Sequence, residues 1–478
     1  MTQSPGFPWV DPTNLDHLRS VLLAVDPDGR LSPIGMRRIE IGPDALSLLP
    51  EMVAELSRGP RVVLVMDGTP MRRAGRDLKA DVRRALEDRF ATDVPVIGAG
   101  RPALHGDEQD LAEVTAAVQG ADCVVSVGSG TITDLCKEAT KAAGHPPFLV
   151  VQTAASVNAF SDDLAVLMKD GVKRTIHSRW PDALLIDLQT LAEAPREMNL
   201  AGFGDLLAVW TAPADWYLAS VMGMDDFYHP APVAMLREPA RALLAAAGAL
   251  SGNEPEALDL LARVLTLSGF TMGVTGKTAP LSGTEHLVSH LIDMAALRSG
   301  RPFALHGAQV AVAVVHVAAI WEVFLSEFDP GVVDSKGLFP EMAEMESAVR
   351  EAFAGIDPSG RVGEECWSDY RKKLERWRTA GPSIEAFLRN WPVHQVALKG
   401  MLAPSERLTA ALEAAGAPAR FDRLTPPVDP TVVRWAFLNC HLMRNRFTLA
   451  DFLHFLGWWN AEFVERLLRR PGQTRTCG

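Results

Sequence analysis

The sequence predicts an α/β domain built on a parallel sheet, followed by an all-helical domain, and three observations predict it. Between Leu31 and about Pro195, short β-branched apolar runs alternate with amphipathic stretches long enough for crossover helices. After Pro195 credible strands give out and helical periodicity takes over. The 478 residues, 47% hydrophobic and 22% charged, are enough for two or three domains that bury their cores without covalent staples.

Residues 1–30, rich in Pro and Asp, read as a loosely ordered N-terminal extension. The clearest strands are residues 61–66, 122–127, 148–152 and 183–187, each bounded by Gly, Pro or Asp. Repeated βα units of this kind call for a parallel sheet with helices on its faces, here over 31–195. The helical part, 196–470, is predicted to carry helices at 201–218, 232–247, 254–269, 283–296, 307–325 and 340–353. Its tail adds 364–379, 384–391, 405–415, 432–444 and 449–467. The breaks at 337–340 and 425–430 punctuate this half without isolating another domain.

Composition narrows the class of protein. Asp and Glu number 59 against 47 Lys and Arg, a formal charge of −12, which argues against a general nucleic-acid binder. Five scattered cysteines (Cys123, Cys136, Cys366, Cys440, Cys477) form no CxxC pair and read as reduced and intracellular. The N-terminus has no basic and apolar leader, and the most apolar run, 310–325, reads as too short to cross a bilayer. The expectation is a soluble, cytoplasmic protein.

Residues 124–137 form a strand, a small-residue turn and a helix start. At Gly128, Ser129 and Gly130 the absence of bulk lets backbone N–H groups approach a pyrophosphate at the helix N-terminus. Asp134 and Lys137 fall one turn in, where they are expected to face the rest of a bound dinucleotide. The plain alternative is a structural turn. Asp67, just beyond the strand of residues 61–66, is placed to accept hydrogen bonds from an adenosine ribose and to repel a 2′-phosphate, favouring NAD over NADP. The plain alternative there is a helix cap. Thr153 and Ser156 offer hydroxyls at a third strand end, near the same edge.

The helical half holds a histidine cluster. His286 and His290 are four apart and share a helix face, and His306 begins the next predicted helix. Two imidazoles and a carboxylate make a three-ligand metal site with an open position, and Asp205 is the acid that sits in an otherwise apolar helix start. Core histidines and an N-capping Asp are the competing reading. His17, His105, His145, His177, His229, His316, His394 and His454 stand alone, and read as surface or packing residues. His441, near Arg444 and Arg446, reads as part of a solvated helix face, with an anion site as the alternative.

The order of these motifs is recognisable. A Gly-rich turn ending in DxxK, a TxxS strand end, GFGD, EHxxSH and LHGxQV together resemble the sn-glycerol-1-phosphate dehydrogenases. These belong to the superfamily of iron-containing alcohol dehydrogenases, glycerol dehydrogenase and dehydroquinate synthase. The similarity runs from about Ile34 to Gly457 and takes in the late segment 444–451. It implies a Rossmann-like, NAD-binding first domain and a dehydroquinate synthase-like architecture. It implies metal ligands at Asp205, His286 and His306, with His290 on the substrate and Asp205 and His290 as the catalytic pair. Gly128, Ser129, Gly130, Thr131 and Ile132, with Thr153 and Ser156, would line the NAD site. Where the family has a substrate-touching Asp after TxxS this chain has Asn158, and where a serine is common it has Asp162. An Asn can hydrogen-bond a hydroxyl but cannot act as a base, so the substrate is expected to differ from glycerol 1-phosphate. The chain is also longer than the branch at 1–30 and around 325–400.

The resemblance implies an NAD-dependent oxidoreductase of a small polyol or polyol phosphate, with NADP as the alternative dinucleotide, and a homodimer. The bound cation would serve as Lewis acid and hydride would pass directly to or from the nicotinamide. Two histidines and a carboxylate do not choose among Zn2+, Fe2+ and Ni2+. Two rivals stay open: a dehydroquinate synthase-like cyclase or lyase using NAD transiently, and a non-catalytic nucleotide-binding homologue.

Overall fold

The computed structural model describes residues 9–101, 104–158, 160–169, 172–334 and 338–469. Cys477 and part of the 337–340 break lie outside the described residues. The chain divides into two compact units that interleave along the sequence. The first comprises Met1–Leu206 and Pro230–Lys277, the second Leu207–His229 and Thr278–Gly478. Residues 230–277, grouped by sequence with the helical half, therefore belong with the sheet.

The first unit carries a seven-stranded sheet of β1 (Arg38–Gly42), β2 (Arg61–Asp67), β3 (Ala91–Asp93), β4 (Val96–Ile97), β5 (Cys123–Gly128), β6 (Phe148–Gln152) and β9 (Ala183–Asp187). Its order is β1-β9-β6-β5-β2-β3, with β4 also paired to β2, and every pairing is parallel. The expected 61–66, 122–127, 148–152 and 183–187 strands are the central four, with bounds within one residue. Their Val, Leu and Ile side chains are buried on both faces, as a parallel sheet covered by crossover helices requires. On one face Val62, Leu64, Val125, Val127 and Leu185 meet Met52, Val53, Val82 and Leu86 of helices Leu49–Leu56 and Leu78–Glu87.

An antiparallel hairpin, β7 (Leu164–Lys169) with β8 (Val172–His177), was not expected. Nor was helix Leu15–Val25, which gives order to the N-terminal extension: Asn14 caps it by accepting from the His17 N–H.

The second unit has no strand among its described residues. Several predicted helices are broken at identifiable residues. The 201–218 stretch becomes Arg196–Leu206, a 3-10 turn at Leu207–Trp210, and Ala212–Val221 with Pro213 in its first turn. The 449–467 stretch splits into Leu449–Phe455 and Ala461–Leu468, because Gly457 is left-handed and Asn460 caps the second helix. The 384–391 helix is likewise two, Gly381–Arg389 and Trp391–Met401. The 310–325 run lies in a 22-residue helix, His306–Glu327, which is long and apolar enough to cross a membrane, contrary to the expectation from length. Helix Pro255–Thr275 passes the same test. Their most apolar windows are 89% and 83% buried inside the protein, the pattern of core helices.

Candidate active site

In the first unit the ends of β2, β5 and β6 lie side by side, with Met66 opposite Val127 and Gly128 opposite Gln152. This register brings the turns after all three strands to one edge. Beyond β5, Ser129 is the N-cap of helix α1 (Gly130–Ala142), and the first helical bond runs from the Thr133 N–H to the Ser129 carbonyl. The amides of Gly130, Thr131 and Ile132 thus stand at the positively polarised end of the helix. Both glycines are required by close approach: a Cβ at Gly128 would sit 2.8 Å from Ile132, and one at Gly130 would sit 2.9 Å from Val157. The Ser129 hydroxyl hydrogen-bonds that of Ser156, joining the glycine turn to the loop after β6. Thr153 is buried there and donates its N–H to the Gly128 carbonyl. Thr131 is exposed, and Ile132 packs beneath the turn.

Asp67 accepts from the Thr69 N–H (3.1 Å), the Thr69 hydroxyl (2.7 Å) and Lys79 Nζ (2.9 Å). Burial opposes its charge, but these bonds outweigh burial and hold the carboxyl below the usual range. The cap of the next helix, Leu78–Glu87, is Asp77, so the helix-cap alternative for Asp67 does not hold.

Asp134 and Lys137, expected to face a dinucleotide, point elsewhere. Lys137 is fully buried and donates to Asp162 (2.6 Å) and to the Leu164 carbonyl (2.8 Å). Asp134 accepts from the Val166 N–H at 3.1 Å. Both side chains bind the unforeseen hairpin. Burial raises Asp134 to about 7 and Asp162 to about 6, against the pull of Lys137.

Helix α2 (Arg196–Leu206) docks on the loop after β6 along one face. Asn199 Oδ1 accepts from the Ala155 N–H (3.1 Å), while its Nδ2 donates to the Leu191 carbonyl. Gly202 lies so near that a Cβ would sit 1.9 Å from the Ala155 oxygen. Asp205 Oδ2 accepts from the Asn158 N–H (2.9 Å). Asp205 and Asn158 are both buried, and the capping alternative for Asp205 fails because it lies in the last turn of α2.

In the second unit, helix α3 (Thr284–Arg298) carries His286 and His290, and His306 opens helix α4 (His306–Glu327). The three rings gather: centroids are 5.3 Å apart for His286–His306, 5.5 Å for His290–His306 and 6.3 Å for His286–His290. The start of α3 is held by buried acids. Asp215 accepts from the Thr284 N–H and hydroxyl and from the Leu449 N–H, and burial, then the nearby Glu285, push it up to about 7. Glu285 accepts from the Gly283 N–H, the Thr211 hydroxyl and His286 Nδ1 (3.0 Å).

A second relay reaches His306. Gln309 Nε2 faces two acceptors, Asp293 Oδ1 (2.8 Å) and the Ala304 carbonyl (3.0 Å), so Gln309 Oε1 must face Ser289. The Ser289 hydroxyl donates to that oxygen at 3.3 Å and is left to accept from His306 Nδ1 at 2.9 Å. Both His286 and His306 thereby carry their proton on Nδ1 and keep Nε2 unprotonated, the tautomer that outer partners give to metal-binding histidines in general. Glu285, Ser289, Asp293 and Gln309 were not singled out in the sequence. Their spacing would have flagged two of them, since Ser289 lies three residues after His286 and Gln309 three after His306.

The His441 region is not a solvated face. His441 is buried with its ring 4.5 Å from that of His454, and burial holds it well below its usual range. Arg446 braces the approach to α3 through Ser282 and Thr278.

The parallel sheet, its glycine turn and a histidine cluster on a helical unit together define the iron-containing alcohol dehydrogenase class. Residues 40–195 match the profile of that family. Solved structures share the fold: a 1,3-propanediol oxidoreductase (TM-score 0.54, 18% identity, 91% of this chain and 98% of that one) and an iron-containing alcohol dehydrogenase from Corynebacterium glutamicum (TM-score 0.54, 16% identity, 91% and 94%). Among sequences, a glycerol-1-phosphate dehydrogenase [NAD(P)+] from Halalkalibacterium halodurans is 34% identical over 293 residues, 60% of this chain and 71% of that protein. The Bacillus subtilis enzyme of the same name is 32% identical over 305 residues, 62% of this chain and 76% of its own. The chain belongs to the glycerol-1-phosphate dehydrogenase family, a branch of NAD(P)-dependent alcohol dehydrogenases.

Proposed function

We propose that this enzyme interconverts a small polyol or polyol phosphate and its ketone, using NAD, or NADP as the alternative, and a divalent cation. The observation that carries the reading is the pair of histidines, with ring centroids 5.3 Å apart and each Nδ1 held by an outer partner. We assign Asp205 to the same ion as its third ligand; a carboxylate with two imidazoles is a donor set that suits Zn2+, Fe2+ or Ni2+. When bound, the cation would polarise the substrate oxygen and the nicotinamide would take or give the hydride.

The chain's own residues prepare that chemistry. The Asn158 N–H orients the Asp205 carboxylate, while Glu285 and the Ser289–Gln309–Asp293 relay fix the imidazoles. We assign the Gly130, Thr131 and Ile132 amides, with Gly128, Ser129, Thr153 and Ser156, to the dinucleotide phosphates and nicotinamide. Asp67, charged and at the neighbouring strand end, goes to the ribose. His290 orients the substrate and moves its proton, and Asn158 contributes a neutral amide where the family has a carboxylate. The names of the relatives in Halalkalibacterium halodurans and Bacillus subtilis support glycerol 1-phosphate and dihydroxyacetone phosphate as the first substrates to try. A homodimer belongs to this proposal, and so does the cytoplasm, supported by Cys123, Cys136 and Cys440, which are buried and free.

The test is His306→Ala, assayed for bound metal and for NADH oxidation with dihydroxyacetone phosphate. Loss of both is expected; full turnover without metal overturns the scheme.

A further inference from the structure

Resting on the site assignment above, we propose that Asn199 is a positioning residue through which the dinucleotide loop and the metal-ligand carboxylate are set together, so that filling one site strengthens the other. Three contacts along a single face of α2 carry this. Asn199 Oδ1 holds the Ala155 N–H, Gly202 brings the helix backbone against the Ala155 carbonyl, and Asp205 Oδ2 holds the Asn158 N–H. The loop held this way is the one that joins the glycine turn, through the Ser156 and Ser129 hydroxyls and the Thr153 N–H on the Gly128 carbonyl.

Asn199 is suited to the task. It is 1% exposed, and both ends of its amide are bound: the oxygen to the loop, the nitrogen to the Leu191 carbonyl at the end of another helix. Neither end reaches Asp205, so its influence on that carboxylate passes through the loop. Four residues of loop backbone, 155–158, are clamped at both ends by the same helix. A ligand that orders this loop orders the N–H group on Asp205, and by reciprocity an ion that fixes Asp205 favours the loop geometry the dinucleotide needs.

Zn2+ affinity is measured by competition with a chromophoric chelator, with and without saturating NADH, and NADH affinity by its fluorescence, with and without Zn2+. The wild type is expected to show several-fold mutual tightening. Asn199→Ala should weaken Zn2+ binding several-fold, less than the roughly 10–100-fold of a lost direct partner of a ligand, and reduce the mutual tightening to under twofold. Asn199→Asp, which keeps an acceptor for the Ala155 N–H, should recover part of both. Thr140→Ala, which removes buried side-chain hydrogen bonds elsewhere in the first unit, controls for loss of stability and should leave the linkage intact. If the wild type binds neither Zn2+ nor NADH, the underlying site assignment fails. If it binds both and Asn199→Ala keeps the wild-type Zn2+ affinity and linkage, the role given to Asn199 is wrong.

Discussion

Gln309 shows how a single amide decides the chemistry of a neighbouring ring. Its nitrogen lies between two acceptors that can never donate unless protonated, and this fixes every proton outward to His306 Nδ1. Gln309→Leu removes the acceptor of the Ser289 hydroxyl, freeing that hydroxyl to donate to His306 and select the other tautomer. Metal affinity should fall by about 10–100-fold, read by chelator competition, while the thermal midpoint of metal-free protein falls much less than for a collapsed core. The histidines themselves were legible, because a four-residue spacing puts two on one face. Their fixation was not, because hydrogen-bond direction leaves no period in a sequence. Asp134 and Lys137 were misread for a related reason: their spacing puts them on a common face, but only the hairpin shows what that face meets.

At the scale of elements, helix His306–Glu327 combines His306 at its start with a buried imidazole, His316, at its middle. His316 Nδ1 donates to the Val312 carbonyl within its own helix, since a carbonyl only accepts, so Nδ1 carries the proton. Burial holds its pKa down to about 4. The unfolded chain takes up this proton near pH 6.5 and the folded one only near 4, so stability is present above 6.5 and is lost as pH falls through that window. The loss from this one group is about 3 kcal/mol, at 1.36 kcal/mol for each pH unit. His316→Leu should therefore flatten the drop in thermal midpoint between pH 7 and pH 4.5; an unchanged drop would place the acid sensitivity elsewhere. The helix itself was plain in the sequence from its long apolar run. What the sequence blurred were elements set by local stops, such as Gly457, and by short edge pairings.

At the scale of the whole molecule, the chain passes between its two units three times, at 206/207, 229/230 and 277/278. Sequence pattern reads a change from mixed to helical structure at about 195, but a change of pattern marks where strands stop, not where a core closes. Helix Pro255–Thr275 packs on β1 and on α2, so the core of the sheet unit is completed by residues far beyond that point. Trp180 reports on this closure, being packed against Phe270 (ring centroids 6.0 Å) and against Gly273, where a Cβ would lie 2.2 Å from its ring. A fragment of residues 31–195 has Trp180 as its sole tryptophan and lacks that helix. It should bind a hydrophobic dye, show red-shifted emission and unfold without a cooperative transition. A fragment of residues 1–277 retains both segments of the sheet unit and should unfold cooperatively, without binding the dye. Cooperative unfolding of the shorter fragment, with blue-shifted Trp180, would show that the sheet closes its core without residues 230–277.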